Sequence, residues 1–263
     1  MNVEVEYSDL EGVEGAEAIL AAITPTSRAI KAAYNQLGDD GVEALVAALP
    51  PHIERLDLTD NEVGDRGLLT TLGYAARNSG LKHLSLAFNA IHLDEATTAP
   101  AIAALNAFHL ESLTLFSNHL EPAAMTELFE HLSAPQLSTL QMSRCNVDDE
   151  AAAAIANYLS SPRAGALTTL DLGNNWLSAL AVKDIIDAVE SAHYGLVHLS
   201  LASHGLRGTR GCILFKPDYD PKADVAAPQL VEIVHELQSR LPGVLTRNRE
   251  LCRRTMAAAA RAR

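Results

Sequence analysis

The side chains of this chain best able to do covalent, acid–base or metal chemistry are its ten histidines and three cysteines, and their spacing builds no reaction centre. Cys145, Cys212 and Cys252 are too scattered for a zinc cluster or a disulfide framework. Their odd number suits a reducing compartment, so cytosol or nucleus is expected. Phosphate-cradling glycine loops, a nucleophile elbow and a His-Glu-x-x-His helix do not occur in the sequence. No catalytic residue, metal or cofactor is therefore assigned, and the chain is not read as an enzyme. Recognition chemistry is better provided for. Phe88, Phe116, Arg144 and Trp176 are of the types that dominate protein interfaces, and Tyr34, Asp57 and Asp171 are expected on the same face. A second cluster, Arg247, Arg249, Arg253 and Arg254, reads either as the solvated face of a capping helix or as a basic docking helix for an acidic or phosphate-bearing partner.

Charge and hydropathy limit what such residues could bind. The net charge of −13 disfavours nucleic acid or an anionic membrane as the main ligand, because both are held by basic faces. No apolar run reaches the roughly 18 residues that a membrane span needs. The first residues, Asn2-Val3-Glu4-Val5-Glu6, are acidic where an export signal would be basic and then greasy. A monomer that binds an unidentified protein is the expectation.

The elements that must position these side chains come from an internal repeat. At a period of roughly 26 to 30 residues, six segments share the form LxxLxLxxNxL, starting at Ile53, Leu81, Leu110, Leu137, Leu167 and Leu196. Their four aliphatic places hold only Leu, Ile, Val or Met. In a chain that is 48% hydrophobic, that agreement by chance is on the order of 10⁻⁸. A weaker unit precedes them, with Ile30, Ala32, Asn35 and Leu37 in place and Ser27 where the first leucine should be. Within a unit, Leu56 and Leu58 point to one side of a short strand while Asp57 and Thr59 point to the other. Stacked units therefore make a parallel sheet. The ninth-place asparagines Asn61, Asn89, Asn118 and Asn175 are expected to satisfy backbone groups of adjacent units, and Cys145 at the same place is expected to be a buried filler. His204, at that place in the last unit, is read as an end-unit side chain.

Alanine-, leucine- and glutamate-rich stretches between the strands predict helices over 65–77, 100–107, 122–132, 149–160 and 179–192, with Pro100 and Pro122 each in a first turn. Each unit is then strand, loop, helix, loop. Because a helix is wider than a strand, the stack curves with its sheet on the concave side. At the start, Val3, Val5 and Tyr7 alternate with Glu4 and Glu6 as an edge strand, and residues 14–23 read as a helix. At the end, residues 211–217 are expected to form one more strand, followed by two helices. The organisation expected is a strand–helix cap over 1–26, about seven repeats over 27–206, and a strand, loop and helical cap over 207–263.

The segment Asn35-Gln36-Leu37-Gly38-Asp39-Asp40-Gly41, echoed by Asn61-Glu62-Val63-Gly64-Asp65-Arg66-Gly67, resembles the turn and helix entry of ribonuclease-inhibitor-like leucine-rich repeats. The later units lose these glycines. The resemblance implies an α/β fold, a right-handed leucine-rich-repeat solenoid shaped as a horseshoe, with the parallel β-sheet on the concave face and helices on the convex one. It also implies a protein-binding scaffold, adaptor or inhibitor using its concave face and ascending loops. The alternative that it implies is a regulator of a small GTPase resembling Ran GTPase-activating protein.

Overall fold

The computed structural model describes residues 2–107, 109–192, 195–201 and 228–261. The strand expected at 211–217, His204 and the loop after them lie outside these residues. Eight three-residue strands form one open parallel sheet in chain order: β1 (Asn2–Glu4), β2 (Ala29–Lys31), β3 (Arg55–Asp57), β4 (His83–Ser85), β5 (Ser112–Thr114), β6 (Thr139–Gln141), β7 (Thr169–Asp171) and β8 (His198–Ser200). The register is uniform, with Val3, Ile30, Leu56, Leu84, Leu113, Leu140, Leu170 and Leu199 side by side across the sheet. All eight are buried against the helical layer.

That layer consists of α1 (Gly12–Ala22), α2 (Gly38–Ala47), α3 (Asp65–Arg77), α4 (Glu95–Asn106), α5 (Pro122–His131), α6 (Asp149–Leu159), α7 (Ala179–Ser191) and α8 (Pro228–Arg261). The strand–helix alternation, with sheet on one side and helices on the other, is the leucine-rich-repeat solenoid. The N-terminal segment is thus a full coil in itself. Its helix lies so close to the next that a Cβ on Gly41 would fall 2.4 Å from the Gly12 carbonyl oxygen.

Two helices differ from expectation. α4 starts at Glu95, because Asp94 caps it by accepting the Thr97 N–H at 2.9 Å, so Pro100 lies inside the helix and not in its first turn. The C-terminal part is one helix, not two. Pro242 is accommodated within it because Leu237, Leu241, Val244, Leu245 and Asn248 form one unbroken buried stripe across the proline, and packing outweighs the lost N–H.

Two sets of polar side chains tie coil to coil. In the first, each ninth-place amide donates to a sixth-place carbonyl of the preceding coil: Asn35 to Val5, Asn61 to Ala32, Asn89 to Leu58, Asn118 to Leu86 and Asn175 to Met142, all at 2.8–2.9 Å. Cys145 donates its thiol to the matching Leu115 carbonyl at 3.0 Å. Burial pushes that thiol up to about 12, so it is a filler and no nucleophile.

The second set explains the aspartates of the glycine-rich turns and Asp149 at the matching place of a later coil. Asp39 Oδ1 accepts the Gly64 and Gly67 N–H groups at 2.7 and 2.9 Å, and Asp149 Oδ1 accepts that of Ser178 at 2.7 Å. Asp65 Oδ1 accepts from His92 and Leu93 at 2.8 and 2.9 Å, while its Oδ2 faces the Asp94 N–H and the Thr97 hydroxyl. Desolvation pushes the Asp65 carboxyl up, yet these donors together hold it below the ordinary aspartate value. A carboxyl depressed in the fold stabilises it above its unfolded value, and that contribution disappears as pH falls through the folded value. Asp65→Ala is therefore expected to cost about 1–2 kcal/mol at neutral pH, and urea titrations should show the gap from wild type closing below the ordinary aspartate range. A gap that stays constant down to pH 2 would refute this account.

Candidate functional site

The solvent-facing side of the sheet carries two kinds of side chain. Along its centre the residues are small, polar and mutually satisfied. The Asp57 carboxylate accepts the Thr59 N–H and hydroxyl at 3.0 and 2.6 Å, Thr59 meets Ser85 at 2.8 Å, and Thr114 donates to Gln141 at 2.9 Å. Asp171 accepts the Gly173 N–H at 2.9 Å. Asp57 and Asp171 thus close turns at the ends of their own strands.

The rim where each strand turns into its ascending loop is different. There the eighth residue of every described coil from β1 to β7, namely Tyr7, Tyr34, Asp60, Phe88, Ser117, Arg144 and Asn174, has a left-handed backbone, with φ from 52° to 59°. Asp and Asn take this conformation more readily than other side chains. Tyr, Phe and Arg do so at a cost of about 1 kcal/mol each, because Cβ crowds the backbone. Four bulky residues standing where small polar ones would be more stable point to selection for something other than stability.

Those side chains are presented to solvent. Tyr7 is 70% exposed, Tyr34 39%, Phe88 44% and, two places further along its coil, Trp176 49%. They are also ordered by one another. Tyr7 and Tyr34 stack with ring centroids 4.2 Å apart and planes within 6°. Phe88 meets Phe116 edge to face at 4.7 Å, and the Arg144 guanidinium lies 5.8 Å from the Phe116 centroid. The fold therefore brings Phe88, Phe116 and Arg144 into one patch and pairs Tyr34 with Tyr7, a residue that the alternation of the first strand did not single out. Trp176 stands apart, over an open hollow of about 730 Å³ that it shares with Pro122, Asn146, Asp148, Asp149 and Glu150.

The C-terminal arginines divide. Arg247 donates to the Glu190 carbonyl at 3.0 Å and Arg249 to that of Val197 at 3.1 Å, so both fasten α8 to the last coils. Asn248, buried between them, donates to the Leu196 carbonyl at 2.7 Å, and Arg240 pairs with Asp187 and Glu190. Arg253 and Arg254 are exposed. Among the described residues no group of three His, Cys, Asp or Glu could hold a metal ion, and no helix is long and apolar enough to cross a membrane.

The repeated coil agrees with a sequence comparison. A family profile described as Leucine Rich repeat matches residues 33–46, 50–70 and 135–156, which include the strands β3 and β6 and their ninth-place Asn61 and Cys145. The chain is a leucine-rich-repeat protein. This leucine-rich-repeat chain is similar to a chain in the crystal structure of the Rad7 and Elc1 complex from yeast, with 18% identity and a TM-score of 0.49. That match covers 72% of this chain and 46% of the yeast one. It is also similar to the leucine-rich repeat-containing protein LegL7 from Legionella pneumophila, with 15% identity, a TM-score of 0.47 and coverage of 91% and 81%. The comparison with curated proteins found no match.

Proposed function

We propose that this chain is a protein-binding module, a scaffold, adaptor or inhibitor, that grips its partner along the ascending rim. The single observation that carries the reading is the set of exposed aromatic side chains along this rim, Tyr7, Tyr34 and Phe88 on left-handed residues at the same place of their coils and Trp176 two places further along its own. Rings held by neighbouring rings lose little freedom on binding, and aromatic and arginine side chains supply most of the energy of protein interfaces. The glycine–aspartate turns and the helix in each described coil support the ribonuclease-inhibitor-like subtype. Placing a photo-cross-linking amino acid at Phe88 is expected to trap the partner in cells. Phe88→Ala and Trp176→Ala should then each weaken the purified complex about tenfold or more while leaving the far-ultraviolet circular dichroism unchanged. Full retention of that partner by both variants would sink the proposal.

A further inference from the structure

The rim is acidic as well as aromatic. Glu6, Asp9, Asp60, Glu62, Glu121 and Glu150 lie on it or immediately behind it, all exposed, and none of their carboxylates forms a hydrogen bond or ion pair among the described residues. Its cations are already engaged. Arg66 sits among Asp39, Asp40 and Glu43, and Arg144 covers the Phe116 ring. The opposite edge of the sheet is balanced instead, with Arg28 paired to Glu54 at 3.7 Å and Lys82 to Glu111 at 2.9 Å. Of the two edges of the sheet, the one that displays the rings is thus the one with unmatched negative charge beside them, while the unpaired Glu17 and Glu130 of the helical layer lie away from any exposed ring.

Exposed rings among unmatched carboxylates suit one chemistry. An arginine or lysine side chain can lay its cation on the face of Tyr34, Phe88 or Trp176 while pairing with the carboxylate beside it. From Tyr7 in the coil of β1 to Trp176 in the coil of β7 there are six strand spacings, about 29 Å, the reach of about nine extended residues. We infer that the occupant of the rim is a cationic, extended segment of a partner protein, about nine residues long, whose basic side chains alternate between rings and carboxylates. This rests on the protein-binding reading above and adds the chemistry of the partner.

The test uses a fluorescent nine-residue peptide of alternating arginine and serine, and its glutamate–serine counterpart, titrated with the whole chain. The arginine peptide is expected to bind and to weaken steeply between about 50 and 300 mM salt. Glu62→Gln with Glu150→Gln should weaken it about fivefold, and so should Tyr34→Ser with Trp176→Ser. Glu17→Gln with Glu130→Gln, which removes the same charge from the helical side, should leave it within about twofold. The inference is overturned if the helical pair matters as much as the rim pair, if removing the rings changes nothing, or if the glutamate peptide binds equally. A salt-sensitive dimer in sedimentation that is lost with the rim substitutions would overturn it too, by assigning the rim to a second copy. If the peptide fails while Phe88 still cross-links a partner, only the cationic inference falls; if the cross-link also fails, the protein-binding reading falls with it.

Discussion

Asn175→Ala is expected to remove about 3–6 kcal/mol of stability, a large loss for a single polar side chain. The amide of Asn175 makes four bonds where water cannot replace them. Its Oδ1 accepts the N–H groups of Cys145 and Val147 at 2.8 and 3.2 Å, and its Nδ2 donates to the carbonyls of Met142 and Leu172, each at 2.9 Å. Truncation leaves four buried backbone groups unpaired, and each unsatisfied group costs about 1–3 kcal/mol before local relaxation. Cys145 shows what half of the arrangement looks like. Its thiol reaches the Leu115 carbonyl, but sulfur is a weak acceptor, so it serves poorly the N–H groups that an amide oxygen would take.

Because coils touch only their neighbours, the damage should be local in space and yet cooperative along the stack. Hydrogen exchange is expected to speed up across residues 142–177 first, with the coils of β1 to β3 keeping their protection. Urea titration gives the total. A loss below about 1 kcal/mol, or exchange that rises evenly over the chain, would show that the amide ladder is not what couples the coils.

These bonds explain why so much of the architecture was legible and where legibility stopped. Strand position and register follow from side-chain alternation at period 2, which leaves Leu56 and Leu58 no choice of face. The asparagine ladder follows equally from the need to satisfy buried backbone at a fixed turn. The left-handed rim does not follow, since nothing in the chemistry of Tyr34, Phe88 or Arg144 announces a positive φ. The conformation is imposed by the coil on whichever residue stands before the asparagine. Tyr7 was hidden for a related reason. It alternates with Glu6 as an edge strand would, and only its distance of 27 residues from Tyr34, one repeat, could have revealed the stacked pair. That α8 is a single helix is equally hard to read, because Pro242 and Gly243 are residues that ordinarily end a helix, whereas the buried stripe runs straight past them.

The second large effect lies in the helical layer. On α6 the buried face includes the small side chains Ala151, Ala152 and Ala154, and between α5 and α6 the large rings of Phe129 and Tyr158 meet. Their ring centroids are 5.7 Å apart at 60°, and the Arg163 guanidinium lies 5.7 Å from the centroid of the tyrosine ring. Phe129→Ala is expected to cost about 3–5 kcal/mol, whereas Phe129→Leu, which refills most of the volume, should cost under about 1.5 kcal/mol. The tyrosine supplies an independent readout. Burial pushes its phenol up to about 12, against a weaker downward pull from Arg163. An acid raised by burial stabilises the fold while neutral, so this contribution is complete below the ordinary tyrosine value and disappears as pH rises through about 12. Removing the neighbouring ring should admit water, bring the Tyr158 titration down toward the ordinary value and move alkaline unfolding to lower pH, with a Tyr158→Phe variant identifying the absorbance step. An unchanged titration in Phe129→Ala would mean that the helices close over the gap, and the stability loss should then fall to that of Phe129→Leu.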